Sequence, residues 1–236
     1  MRLREAGPTS GPDVVIVLGW GNRLHHENVQ WLSDQLTEAG YRTHTFQIPD
    51  VIDDFEREYL APVREYVAEL GAVRLVGHST GGLITAFLDW AKTNTYLSPW
   101  WGIPSGPAGL DVAVLSALSR IPTRRPLVPV GQSDRQSIGD RATEKQLREG
   151  PTRAAPSFLR EIRRAHSERP PVSSDAVVFC SPRDTVVSVR AIAEAASFDQ
   201  LVFYDGGHEL FSSKKRDTYR ETLLDAVANG RDALDA

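Results

Sequence analysis

The sequence predicts an α/β fold: a mostly parallel central sheet with helices on both faces and one inserted segment. Three observations carry this. Short apolar runs alternate with stretches whose apolar residues recur at helical spacing, the pattern of strand–helix–strand units. One of those runs, Val73-Arg74-Leu75-Val76, passes through Gly77-His78-Ser79-Thr80-Gly81 straight into helical spacing. Residues 120–174 then break the alternation with seven prolines, at Pro122, Pro126, Pro129, Pro151, Pro156, Pro170 and Pro171. At 236 residues, the chain fits one domain spanning 1–236 with an insertion at 120–174 better than two domains.

Residues 1–12, with Gly7-Pro8 and Gly11-Pro12, read as a loose lead-in. Val14 to Leu18 is an apolar strand, and helix 27–39 follows with Val29, Leu32, Leu36 and Ala39 as its buried stripe. Strand 43–46, a helix near 53–70 and strand 73–77 come next. A helix over 82–92 is expected from Leu83, Phe87, Trp90 and Ala91, then a strand at 111–116. Between these lies Tyr96-Leu97-Ser98-Pro99-Trp100-Trp101-Gly102-Ile103-Pro104. It is expected near the far end of the sheet from the catalytic loops, covering core, with the lining of an acyl pocket and a homodimer contact as the other readings. Two short helices near 140–149 and 156–167 fit within the insertion. The alternation resumes with strand 176–180, helix 189–197, strand 201–204 and helix 214–228, which makes six strands.

The pattern Gly77-x-Ser79-x-Gly81 is weak by itself, and its context carries it. A serine between an apolar strand and a helix sits on a tight, strained turn with its hydroxyl lifted clear at the sheet's end. Glycines two before and two after are needed because a Cβ would crowd that turn. A serine hydroxyl becomes a good nucleophile only when a base takes its proton and an acid orients that base. On this scaffold the acid and then the histidine follow the serine in the chain. His208 follows the apolar run Leu201-Val202-Phe203-Tyr204 and the turn Asp205-Gly206-Gly207, just past a strand's C-terminal end, where ligands gather in open α/β sheets. His166, in an Arg-rich stretch, reads as a solvated surface residue. For the acid, Asp184 follows strand Ala176 to Cys180 and precedes His208. Asp205, three residues before His208, reads as a turn-shaping residue, and Asp175 lies at the wrong end of its strand.

The developing oxyanion needs backbone N–H donors, each worth about 3 kcal/mol of barrier. Thr80, the residue after the serine, is one candidate. Trp20, in the loop Gly19-Trp20-Gly21-Asn22 after the first apolar strand, is the other. His25 and His26 read as exposed polar residues before a helix, with no third ligand at useful spacing for a metal.

From Val14 to about Val227 the chain resembles the α/β-hydrolase family, and within it the small carboxylesterases and monoacylglycerol lipases. The loop Ser181-Pro182-Arg183-Asp184 and the turn Gly206-Gly207-His208 carry the likeness alongside the serine turn. The resemblance implies the α/β-hydrolase fold, a triad of Ser79, Asp184 and His208, and an oxyanion hole from Trp20 and Thr80. It also implies that 120–174 is a cap over the site. Relatives commonly carry His-Gly where this chain has Leu18-Gly19, so a residue that often braces that loop is missing. The expected reaction is hydrolysis of a small-molecule carboxylic ester through an acyl-enzyme. An acyl thioester on CoA or a carrier is the first alternative, and a catalytically silent binding module on the same fold the second. No metal or organic cofactor is implied.

Composition narrows the partners. The 41% hydrophobic and 25% charged content is that of an ordinary globular chain. No apolar run reaches membrane-span length, Met1-Arg2-Leu3-Arg4-Glu5 lacks a signal-peptide stretch, and the lone Cys180 can make no internal disulfide. A cytoplasmic protein is the expectation. The insertion carries +6, against −10 on the remainder of the chain. A basic cap over an acidic body suits an anionic substrate, although a solvated helical face has the same composition. Nucleic-acid binding is disfavoured by the overall −4 and the absence of a basic stripe interleaved with aromatics.

Overall fold

Val14, Val15, Ile16 and Val17 are all buried, so their strand is covered on both faces and must lie inside a sheet. The computed structural model describes residues 1–88, 90–103, 121–131 and 134–234. In it this strand is β2 (Asp13–Val17), preceded by β1 (Arg2–Ala6) and followed by α1 (Glu27–Glu38) and β3 (Arg42–Gln47). A π-helical turn (Glu56–Leu60) runs into α2 (Ala61–Leu70), and β4 (Arg74–His78), α3 (Thr80–Thr85) and β5 (Thr93–Leu97) follow. The inserted segment holds β6 (Val128–Pro129), α4 (Arg135–Ile138), α5 (Glu144–Glu149), β7 (Arg153–Ala154) and α6 (Pro156–Glu168). The chain closes with β8 (Val177–Cys180), α7 (Val189–Ala195), β9 (Leu201–Phe203) and α8 (Arg220–Asn229).

The main sheet runs β1-β3-β2-β4-β5-β8-β9, parallel throughout except for β1 against β3; β6 and β7 form a separate antiparallel pair. Alternation along the strands feeds two cores. Val14, Ile16, Val76 and Val177 pack with α1 and α8, through Leu32, Leu36, Leu223 and Val227. Val15, Val17, Leu75 and Val178 pack on the other face with Val63 and Val67 of α2, Leu83 of α3, Phe158 and Ile162 of α6 and Ile192 of α7. Pairings of Val17 with Gly77, His78 with Leu97, Leu97 with Phe179 and Phe179 with Val202 align the strand C-termini. The loops carrying Trp20, Ser79, Asp184 and His208 therefore leave from one edge.

The fold class agrees with the sequence reading, and several elements differ. The lead-in contains an edge strand, β1, whose residues are almost all exposed and which pairs with β3 through its backbone and through Glu5, which accepts from Arg42 and Tyr66. The helix after Ser79 ends at Thr85 rather than reaching 92, because β5 begins at Thr93, and Trp90 is exposed. The place beside β4 belongs to β5, so the main sheet has seven described strands rather than six. The expected strand at 111–116 lies outside the described residues. Since Tyr96 and Leu97 end β5, the tryptophan pair sits at the catalytic edge, not far from it. Trp101 is buried against Tyr96 and donates from Nε1 to the Gly82 carbonyl, and Trp100 is half-buried.

Candidate active site

Ser79 is held at φ 52°, a left-handed conformation unusual for a residue with a Cβ. Its backbone is pinned on both sides: its N–H donates to Leu97 O (3.1 Å), and its carbonyl accepts from Trp100 N (2.9 Å) and Leu83 N (3.2 Å). A Cβ at Gly81 would run into the Val17 carbonyl, and one at Gly77 into Thr85 Oγ1. Both glycines of the pattern are thus required by close approach. The loop after β2 lies against the same turn, since a Cβ at Gly19 would come within 2.8 Å of Ser79 Cβ.

Asp184 and His208 are brought together as a buried pair, His208 Nδ1 to Asp184 Oδ2 at 2.7 Å. The other carboxylate oxygen accepts from Val186 N (2.8 Å) and Val187 N (3.1 Å). Burial alone would raise the Asp184 pKa; the nearby His208 charge and these hydrogen bonds more than offset it and hold the group below the usual carboxylate range. Burial likewise works against charge on His208, but attraction to Asp184 and Glu209 prevails and raises its pKa. With Nδ1–H committed to Asp184, the Nε2 lone pair is left to act as base. The His208 ring packs 4.9 Å from that of His78, the residue before Ser79. Among the described residues Ser79 Oγ itself makes no hydrogen bond, to His208 or to any other group. Catalytic hydrogen bonds are often long or absent before substrate binds.

The N–H groups of Trp20 and Thr80 also have no hydrogen-bond partner among the described residues. Trp20 is fixed by its side chain instead. Its indole Nε1 donates to Asp50 O (2.8 Å), and its ring stacks on Phe158 at 4.8 Å. Phe158 in turn faces Trp100 at 6.1 Å, forming an aromatic wall beside the serine turn.

Residues between 134 and 168 bond to the His208 loop and to the chain at 52–55. Ser157 donates to Ile52 O, Glu161 accepts from Phe55 N, and Ser137 O and Ile138 O accept from His208 N (2.7 Å) and Glu209 N (2.8 Å). Some cations of residues 120–174 are paired: Arg124 with Asp53 and Glu58 outside the segment, and Arg135 with Glu144 and Arg160 and Arg164 with Glu161 within it.

Other sequence expectations need correction. His166 is not a solvated surface residue: it is half-buried, donates from Nε2 to Trp100 O (2.9 Å), and is pushed down to about 4 by burial. Asp205 acts through ion pairs with Arg183 and with Lys215, not by shaping the turn. His26 is buried rather than exposed, and a third group does stand beside the histidine pair. Glu149 Oε2 lies 2.6 Å from His25 Nε2 and 3.0 Å from His26 Nε2. This trio is poorly set for a metal. His26 Nδ1 accepts from Arg23 N–H (3.2 Å), which leaves its proton on Nε2, and a ligating Nε2 would need the opposite tautomer. Burial pushes the Cys180 thiol up to about 11, which rules it out as a nucleophile near neutral pH.

Sequence reasoning missed Asn22, Gln146 and Glu209, whose side chains bond one another beneath the catalytic loops. The one local signal was a carboxylate directly after the Gly-Gly-His turn.

The model of the alpha/beta hydrolase family matches residues 14–221. No curated protein sequence matches the chain. Among solved structures, the monoacylglycerol lipase of Paleococcus ferrophilus superposes with a TM-score of 0.74 at 17% identity, over 96% of this chain and 98% of that one. The soluble variant of the Saccharomyces cerevisiae monoglyceride lipase gives 0.69 at 15%, over 99% and 91%. An esterase from Exiguobacterium antarcticum gives 0.68 at 16%, over 96% and 94%. At these identities the likeness is one of fold.

Proposed function

Because this chain belongs to the alpha/beta hydrolase family, we propose that it is a serine hydrolase that cleaves carboxylic esters through an acyl-enzyme. The observation that carries the reading is the buried Asp184–His208 pair at 2.7 Å, packed beside a serine held at positive φ. Ser79 Oγ attacks the acyl carbon as His208 Nε2 takes its proton. The carbonyl oxygen becomes an oxyanion held by the unpartnered N–H groups of Trp20 and Thr80. His208 then protonates the alcohol oxygen as the C–O bond breaks, leaving the acyl group on Ser79. Water repeats the sequence, its proton passing to His208 and then to Ser79 Oγ as the acid departs.

In this reading residues 120–174 cap the site, and Phe158 with Trp20 and Trp100 forms an apolar wall suited to an acyl chain. The three superposed lipases and esterase supply analogy for the ester. A CoA or carrier thioester would call for cations free to meet phosphate. Arg124, Arg135, Arg160 and Arg164 are committed to ion pairs and would not meet it.

Hydrolysis of p-nitrophenyl esters from acetate to palmitate tests the reading, together with fluorophosphonate labelling. Wild type is expected to turn over and label, and Ser79→Ala to lose about a thousandfold or more in kcat and all labelling. A wild-type protein that neither labels nor hydrolyses any ester would overturn it.

A further inference from the structure

Glu209 is a carboxylate at 3% exposure with no salt bridge among the described residues. Its three hydrogen-bond donors are all neutral. Asn22 Nδ2 donates to Oε1 (2.7 Å), while Gln146 Nε2 (2.6 Å) and Ser212 Oγ donate to Oε2. Burying an acid without a cation is costly, and an apolar residue of similar volume would fill the space at less expense. What distinguishes the position is what its partners belong to. Asn22 ends the loop that carries Trp20, and its Oδ1 accepts from Nδ1 of buried His78, directly before Ser79 (3.0 Å). Gln146 belongs to α5 of the inserted segment, and its Oε1 accepts from Asn28 of α1. Glu209 itself follows His208. One carboxylate therefore joins the loops of the base, the nucleophile and the Trp20 N–H to the inserted segment.

We propose that Glu209 is a positioning residue: it locks the His208 loop to the Trp20 loop through Asn22 and to the inserted segment through Gln146, keeping base and oxyanion donors in register with Ser79. The inference rests on the acyl-transfer reading for its effect on rate, because Ser79 Oγ has yet to meet His208 and small displacements there cost heavily. The carboxylate's charge also favours protonation of His208. The other groups facing that ring are Asp184 across Nδ1 and His78 against its plane, with Tyr204 Oη and Ser137 O on its backbone. Burial keeps His78 neutral.

Two measurements on wild type and Glu209→Gln test this: kcat and KM for the best ester across pH, and the NMR titration of His208 without substrate. Loss of about tenfold or more in kcat with KM within about threefold is expected, and a His208 midpoint lower by about half a unit or more. A variant with kcat within about twofold of wild type and an unmoved midpoint would overturn the proposal. Asn22→Ala and Gln146→Ala keep the charge and cut one tie each. They decide the matter if Glu209→Gln does not fold, because wild-type kcat in both overturns it and a fall in kcat at constant KM supports it. Should wild type neither label nor hydrolyse esters while the His208 midpoint still falls in Glu209→Gln, the acyl-transfer reading fails and the coupling of Glu209 to His208 stands.

Discussion

At the residue scale, the proposed reaction requires His208 to be neutral to take a proton yet stable as a cation once it has done so. Asp184 serves the second requirement, and both of its oxygens are occupied in doing so, one by His208 and one by the Val186 and Val187 amides. The sign of the pH dependence follows. The His208 pKa lies above its ordinary 6.5, so the base is lost as pH falls through that raised value, while Asp184 stays ionised well below it. The acid limb of kcat/KM is expected above pH 6.5, and a limb at lower pH would contradict the pair's polarity. Asp184→Asn is expected to cut kcat by about a thousandfold or more at neutral pH. An amide can turn its NH2 toward Nδ1 and leave the ring proton on Nε2, where the base is needed. Single-turnover acylation measurements on the variant would separate that loss from any change in water attack. The residues assigned to the proposed reaction could be picked out in the sequence because each follows a strand within a few positions. Those behind them could not: Asn22 meets Glu209 across 187 positions and Gln146 meets it across 63, and no local pattern encodes such a bond.

At the scale of elements, legibility tracked hydrophobic contrast. β2, β4 and β8 are apolar runs in buried positions and were read nearly to their ends. β5, Thr-Asn-Thr-Tyr-Leu, is fully buried but polar in composition, and it was missed. Of its polar side chains, Thr93 Oγ1 donates to Val227 O (2.7 Å), while Asn94 Oδ1 and Thr95 Oγ1 are buried without a partner among the described residues. β1 was missed for the opposite reason: its residues are almost all exposed, so no apolar run marks it, and the Glu5 bonds to Arg42 and Tyr66 reach across 37 and 61 positions. In the inserted segment α6 is amphipathic, with Phe158, Ile162 and Ala165 on its buried face, yet its seat on the body is set by distant partners. Phe158 is the anchor, fully buried between the Trp20 loop and Trp100. Phe158→Ala is expected to destabilise the protein by about 3–5 kcal/mol in urea denaturation. A change below about 1 kcal/mol would mean that α6 is not seated on the body as the ring contacts require.

For the whole molecule, folding confines several histidines in ways that make stability depend on pH. Burial depresses the pKa of His26, His78 and His166, the last to about 4, whereas His208 is raised by its acid partner. The first three remain neutral in the folded chain while their unfolded counterparts take up protons near pH 6.5. Between that pH and the folded values the unfolded state binds more protons, so stability falls with acidification. Each such group contributes at most about 1.4 kcal/mol per pH unit, and less for half-buried His166, whose partial exposure admits solvent. His208 acts oppositely: its contribution is full below pH 6.5 and is lost as pH rises through its folded pKa, so it offsets part of the loss. Three groups against one leave the acid side weaker. Thermal melts across pH make the measurement. Tm is expected to drop by about 5 °C or more from pH 7 to pH 5, given about 2–4 °C per kcal/mol for a chain of this size. His166→Gln keeps an N–H donor for the Trp100 carbonyl but has no proton to gain, so its melts should show a visibly shallower fall. A wild-type Tm that is flat or rising toward pH 5 would mean that these histidines reach water in the native state, and the packing of His166 beneath Trp100 would have to be abandoned.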